Sequence, residues 1–179
     1  MNMKNIMRKA APSDKAAVWS ILQQAIERRR IDGSNQWQDG YPNPDTVERD
    51  IALGHGYVLL SGESIAAYAA LIVNDEPAYD HIEGKWLTGA SDFLVVHRVA
   101  VDNHYLGRGI ALKLFSLVEA MAVAQGIPSI RVDTNFDNQA MLHILDKLGY
   151  SYCGEVLLRE SPRKAFEKVL SLPKEMPND

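Results

Sequence analysis

The sequence is short of several things, and each shortage removes a class of function. Cys153 is the only cysteine in 179 residues, which excludes an intrachain disulfide and any multi-cysteine metal site. No metal is expected. No apolar run approaches the roughly 18 residues that a transmembrane helix needs. The N-terminal stretch MNMKNIMRKA is basic but lacks the apolar core, about 7–15 residues long, of a signal peptide, so a cytoplasmic location is expected. An excess of positive charge is also missing. The formal net charge is −4 and the pI is near 5.7, whereas nucleic-acid-binding domains are usually strongly basic. Neither nucleic acid nor membrane is expected as a partner.

What is present is an ordinary globular composition, 46% hydrophobic and 23% charged, in a chain long enough for one domain with a full core. Residues 1–172 read as that domain and 173–179 as a polar tail. KNIMRKA at 4–10 reads as a short strand. Pro12-Ser13-Asp14 then starts a helix, and Val18, Trp19, Ile21, Leu22, Ala25 and Ile26 follow at helical spacing to about Arg30. The triplet Arg28, Arg29, Arg30 suits a solvated helix C-terminus. Trp37 and Tyr41 lie in a loop rich in turn formers and either tuck back onto the core or line a ligand pocket. Pro44 opens a second helix with Val47, Ile51 and Leu53 inward, stopped at Gly54. Residues 56–61 and 64–73 form a hairpin about Gly62-Glu63. In the loop from Asn74 to about Gly89, Trp86 reads as a packing anchor.

The stretch from Phe93 to Gln125 organises the rest. A strand over about 92–101 feeds a turn carrying Gly107 and Gly109, and a long amphipathic helix follows. Such a turn leaves backbone N–H groups unpaired in front of the positive end of a helix dipole, where a phosphate is readily held. After the helix come a strand at 129–135, a helix capped by Asp137 or Asn138 with Met141, Ile144, Leu145 and Leu148 inward, and strands at about 150–158 and 163–169 joined through Pro162. The order β α α β β β α β α β β predicts an α/β domain of the α+β type, with about seven strands, largely antiparallel, and about four helices.

Two phosphate-binding templates fail. A dinucleotide fingerprint wants Gly or Ala where Leu112 stands, and a nucleotide P-loop fits nowhere. HYLGRGIA at 104–111, preceded by HRVAVD and followed by an amphipathic helix, resembles the GNAT superfamily of acetyl-CoA-dependent N-acetyltransferases. Gly107, Arg108 and Gly109 match its pyrophosphate loop, and His104 stands in the Gln/Arg place. The resemblance runs across nearly the whole chain: the element order matches, Asn138 sits where the family's Asn begins a helix, and LDKLGY at 145–150 matches the usual ending.

The resemblance implies a mixed, largely antiparallel central sheet with helices on both faces, and acetyl-CoA as co-substrate. Its pantetheine would pair with the main chain of Val99, Ala100 and Val101 as an added strand. Its pyrophosphate would sit on the amides of Leu106, Gly107, Arg108, Gly109, Ile110 and Ala111, and Asn135 and Asn138 would offer side-chain hydrogen bonds. Asn138 also reads as a plain helix cap. The implied reaction is direct acetyl transfer to a primary amine of a small molecule or peptide. The alternative is a CoA-binding regulatory or catalytically silent module. Trp37 and Tyr41 would border the acceptor site, and a homodimer is left open.

His97 is the candidate general base. Strand alternation places it with Val95, Val99 and Val101, and some family members carry a catalytic His or Glu there; the other reading is a satisfied, partly buried histidine. Asp102 and Asp133 are lesser candidates, and a backbone N–H near Val99 would steady the oxyanion. Leu145 departs from the family, many of whose members place there a Tyr that protonates the departing sulfur. Cys153 reads as a small core residue.

Overall fold

The computed structural model describes residues 5–89 and 92–173, so all but Pro173 of the expected tail lies outside the described residues. The chain forms two compact units, one comprising the residues up to Ile72 with Val96–Phe115, the other Val73–Val95 with Ser116 onward.

In the first unit, β1 (Asn5–Lys9) leads through a 3-10 turn at Pro12–Asp14 into α1 (Lys15–Ile31). The buried Asp14 carboxylate closes that turn, accepting from Arg8 at 2.6 Å and from the Ala11 amide at 2.7 Å. α2 (Pro44–Ala52) starts where Pro44 demands it, with the Asn43 side chain accepting from the Thr46 amide at the cap. β2 (Gly56–Ser61) and β3 (Ser64–Val73) form the expected antiparallel hairpin, with a bulge at Leu59/Leu60. With β5 (Leu94–Val101) the strand order is β1-β2-β3-β5. Val18, Ile21, Leu22 and Ala25 of α1 pack with Val47 of α2 and with Val58, Tyr68 and Ala100 of the strands. Leu53 does not face the core as its place in the sequence suggests. Leu53 is 60% exposed, because it caps the end of α2 and lies off the helix's apolar stripe; Asp50 turns inward with Val47 instead.

In the second unit the strand order is β6-β8-β7-β4, from β4 (Glu83–Gly84), β6 (Ser129–Thr134), β7 (Ser151–Leu158) and β8 (Ser161–Val169). α3 (Ile110–Ala124) ends in it, and α4 (Gln139–Lys147) belongs to it. β4 brings the described strands to eight, one more than the spacing suggests. Two residues show no periodicity, and β4 exists only through a distant partner: Gly84 pairs with Gly154. A Cβ on Gly154 would stand 2.2 Å from the Glu83 carbonyl oxygen, and one on Gly84 would stand 2.1 Å from that of Cys153. Both glycines are needed for the strands to meet.

Pro162 is also differently placed. The β7–β8 connection is Arg159-Glu160, both at positive φ (44° and 60°), as a two-residue hairpin turn requires. Pro162 lies inside β8 opposite Leu157. The β6 ladder reaches β8 only from Lys164 onward, so the missing N–H falls where β8 has no partner on that side. Trp86 does anchor its loop, donating to the Tyr79 carbonyl at 2.9 Å. No helix among the described residues is long and apolar enough to cross a membrane.

Candidate functional site

β5 carries HRVAV, and its backbone is not a regular strand. Arg98 has φ 54°, in the left-handed region. The simple alternation that grouped His97 with Val99 and Val101 therefore stops at Arg98. His97, Val99 and Val101 are each half-buried, and Ala100 is buried.

The Arg98 side chain explains how such a conformation survives. Nε and Nη2 grip Asp50 at 2.8 and 2.6 Å, and Nη1 donates to the Tyr41 hydroxyl. Tyr68 in β3 donates to the same carboxylate at 2.6 Å. The ion-paired side chains are only 10% and 5% exposed. Burial pushes against the charge on Arg98, but Tyr41 and Asp50 outweigh it and leave the guanidinium more firmly protonated than usual. Burial, reinforced by Asp50, drives the Tyr68 phenol up, so it stays a donor. The absence of a side chain on Gly56 leaves room for it, since a Cβ there would stand 3.2 Å from the Tyr68 hydroxyl.

A second set of contacts holds the end of β5 and the loop that follows. Asp102 accepts from the His104 amide at 2.9 Å and meets His104 Nδ1 at 2.8 Å, closing the 3-10 turn Asn103–Tyr105. The Gln24 side chain donates to Asp102 at 3.1 Å and accepts from the Asn103 amide at 2.7 Å. One turn further along α1, Arg28 donates to the Val101 carbonyl at 2.9 Å and to the Asn103 side chain. Arg28–Arg30 is thus not a uniformly solvated helix end, because Arg28 clamps the loop while Arg30 pairs with Glu27 at the surface. Burial pushes the Asp102 carboxyl up, but the bonds from His104 and Gln24 outweigh it and hold it below the usual range. A carboxylate so engaged is a capping group and a weak base.

The loop then opens. The Leu106 amide is turned back to the Asn103 carbonyl at 3.4 Å. Gly107 and Gly109 have φ 71° and 73°, which side-chain-bearing residues adopt only at a cost. A Cβ on either would meet nothing within 4 Å, so the glycines serve the turn and leave the approach clear. The first bond of α3 runs from the Lys113 amide to the Gly109 carbonyl at 3.0 Å. The amides of Ile110 and Ala111 precede it and have no helical partner. An exposed turn with main-chain donors at a helix start is a place where an anionic group can be held. The His104 ring is exposed, and Arg108 lies 5.8 Å from the Tyr105 ring centroid.

Of the acceptor-side candidates, Trp37 packs against the core cluster and Tyr41 is held by Arg98 as above. Asn135 and Asn138 belong to the second unit. Asn135 is buried, accepting from Arg163 and donating to Asp137 at 2.8 Å. Asn138 accepts from the Met141 amide at 3.2 Å and so caps α4. Asp133 accepts from the Tyr79 hydroxyl at 2.6 Å. The Cys153 thiol is pushed up by burial and by the nearby Glu167 carboxylate, as suits an inert core residue.

Leu145 is fully buried, with no exposed surface. A phenol there would be overpacked, so Leu145→Tyr is expected to lose about 1–3 kcal/mol of stability and to gain nothing in turnover. Urea unfolding and kcat measured side by side check this; a faster enzyme of unchanged stability would contradict it.

Sequence reasoning missed Arg98, Asp50, Gln24 and Arg28. Two signals were available: a carboxylate three residues after Val47 on the inward stripe of α2, and a Gln and an Arg one turn apart on α1.

A model of the Acetyltransferase (GNAT) family matches residues 19–150. The uncharacterized N-acetyltransferase YesJ of Bacillus subtilis (strain 168) is 24% identical over 147 residues, 81% of either chain. The crystal structure of a GNAT-family acetyltransferase from Streptococcus agalactiae is 36% identical with a TM-score of 0.85, covering 95% of this chain and 99% of that one. The structure of yncA from Salmonella typhimurium with its cofactor acetyl-CoA is 17% identical with a TM-score of 0.65, over 97% of this chain and 98% of that one, and shows the shared fold. With this match over most of its length, the chain belongs to the acetyltransferase (GNAT) family.

Proposed function

We propose that the protein transfers an acetyl group from acetyl-CoA directly to a primary amine of a small molecule. The observation that carries this is the open Gly107–Gly109 turn, which lies between a braced strand end and the start of α3. The amides of Gly107 through Ala111 and the helix dipole would hold the pyrophosphate. The main chain of Val99–Val101 would orient the pantetheine, with the Val101 carbonyl already fixed by Arg28.

An amine is mostly protonated at neutral pH and must lose a proton before it attacks. His97 would accept that proton, directly or through one water. The amine nitrogen then bonds to the carbonyl carbon, the C–S bond breaks as the sulfur leaves as a thiolate, and the nitrogen's second proton passes to that thiolate or to water; a thiol pKa of about 8.5 makes an acid at position 145 dispensable. An N–H near Val99 would stabilise the charge on the carbonyl oxygen during attack.

The test is acetyl-CoA turnover, followed by thiol release, across a panel of amines, amino acids, amino sugars, polyamines and peptide N-termini. Release with at least one small amine is expected. Tight CoA binding without thiol release on any acceptor would replace the enzyme with a CoA-binding module, and release with peptides alone would move the acceptor class.

A further inference from the structure

Arg98 has a backbone that does not suit its side chain. A left-handed φ in the middle of a strand favours glycine, and a long side chain stays there only where its surroundings over-determine it. Here they do. Asp50 takes two guanidinium nitrogens in fork geometry, and Tyr41 takes the third through Nη1. Tyr68 in turn fixes Asp50. The partners come from three places, namely α2, the loop before it and β3. With each guanidinium nitrogen bonded to a protein oxygen, Arg98 acts on the backbone it belongs to.

We propose that Arg98 is a positioning residue: its buried pair with Asp50 holds the kink that aims the main chain of Val99–Val101 at acetyl-CoA, and its bond to Tyr41 ties the acceptor-side loop to the same point. The proposal rests on the acetyl-CoA reading above. It makes donor affinity depend on a side chain of α2 and on one guanidinium, neither of which touches the donor.

The experiment is calorimetric titration of the full chain with acetyl-CoA, together with KM and kcat on an acceptor from the panel. The variants are Asp50→Asn and the double variant Arg98→Gly/Asp50→Asn. Glycine permits the left-handed φ without enforcing it, and the double change leaves no buried charge unpaired. The double variant is expected to bind acetyl-CoA about ten- to a hundredfold more weakly, the equivalent of one or two lost main-chain hydrogen bonds, and Asp50→Asn to shift in the same direction by less. A merely structural role would reduce the folded fraction but leave the Kd and KM of the folded molecules at wild-type values. A folded double variant with wild-type Kd overturns the proposal. Should the double variant not fold, Asp50→Asn decides, since it preserves volume and the bond from Tyr68, and an unchanged Kd for it is equally fatal. Wild-type protein that fails to bind acetyl-CoA removes the functional reading and this proposal together, whereas wild-type binding with unaltered variants removes this proposal alone.

Discussion

His97→Gln is expected to lower kcat by about 10²–10⁴, the usual worth of a positioned general base. Glutamine keeps the polarity and approximate size of imidazole but cannot take up a proton, so acetyl-CoA affinity should hardly change. The pH dependence gives the sharper readout. The wild type removes the amine's proton at the site, whereas the variant must rely on the small fraction of amine already free in solution. That fraction grows as pH rises toward the amine's own value of about 10, so the variant should lose most at low pH and the gap should narrow at high pH. A variant with the wild-type pH–rate profile would remove His97 from the role. Alternation along β5 ends at Arg98, so His97 is marked by its position immediately before the kink and by family resemblance, not by a shared strand face with Val99 and Val101.

Glu167→Gln is expected to destabilise the protein by about 3–5 kcal/mol, the range found when one partner of a buried ion pair is removed. That is a large part of a total that is typically about 5–15 kcal/mol. Glu167 has no exposed surface. Its carboxylate accepts from the Leu87 amide at 2.5 Å, from the Ser129 hydroxyl at 2.5 Å and from the Thr88 hydroxyl. Arg131 lies 3.3 Å away and is itself stacked over Trp86 and Phe93, at 4.4 and 4.0 Å from their ring centroids. Glutamine fills the same volume but must turn its NH₂ either toward the Leu87 and Thr88 amides or toward the Arg131 side, and it leaves the Arg131 charge buried without its counterion. Urea unfolding measures the loss, and a difference below about 1 kcal/mol would contradict the account.

The same site predicts how stability varies with acid. Burial alone would raise the Glu167 carboxyl, but the bonds from Ser129 and Thr88 and the Arg131 charge outweigh it and hold the carboxyl below the ordinary range. Its contribution is therefore complete above the unfolded-state value of about 4.3 and is lost as pH falls through the lower folded value. The gap between wild type and Glu167→Gln should be widest at neutral pH and narrow below about pH 4.

Local signals read well where structure is locally determined. The hairpin 56–73 followed from two β-rich runs about Gly62-Glu63, and the α2 start followed from Asn43-Pro44. The glycine turn at 107–109 was legible because a positive φ leaves its mark on residue type. Pro162 misled because a proline tolerated at an unpaired stretch of strand looks the same in sequence as one in a turn. β4 was invisible because its only reason to exist is Gly154, about 70 residues later.

The class of the fold, the order of most elements, the glycine turn and, through resemblance, the family are all legible in the chain alone. These depend on periodicity, capping and turn chemistry, which are properties of neighbouring residues. What braces that turn is set by long-range packing. Asp50 and Arg98 are 48 residues apart in the chain, and Arg28 and Val101 are 73 apart. Whether an arginine is a solvated surface charge or a buried lock depends on what covers it, and no local pattern records that. The sequence pointed to His97 and the glycine turn; the packing of α1 and α2 against β5 showed what holds the strand between them in place.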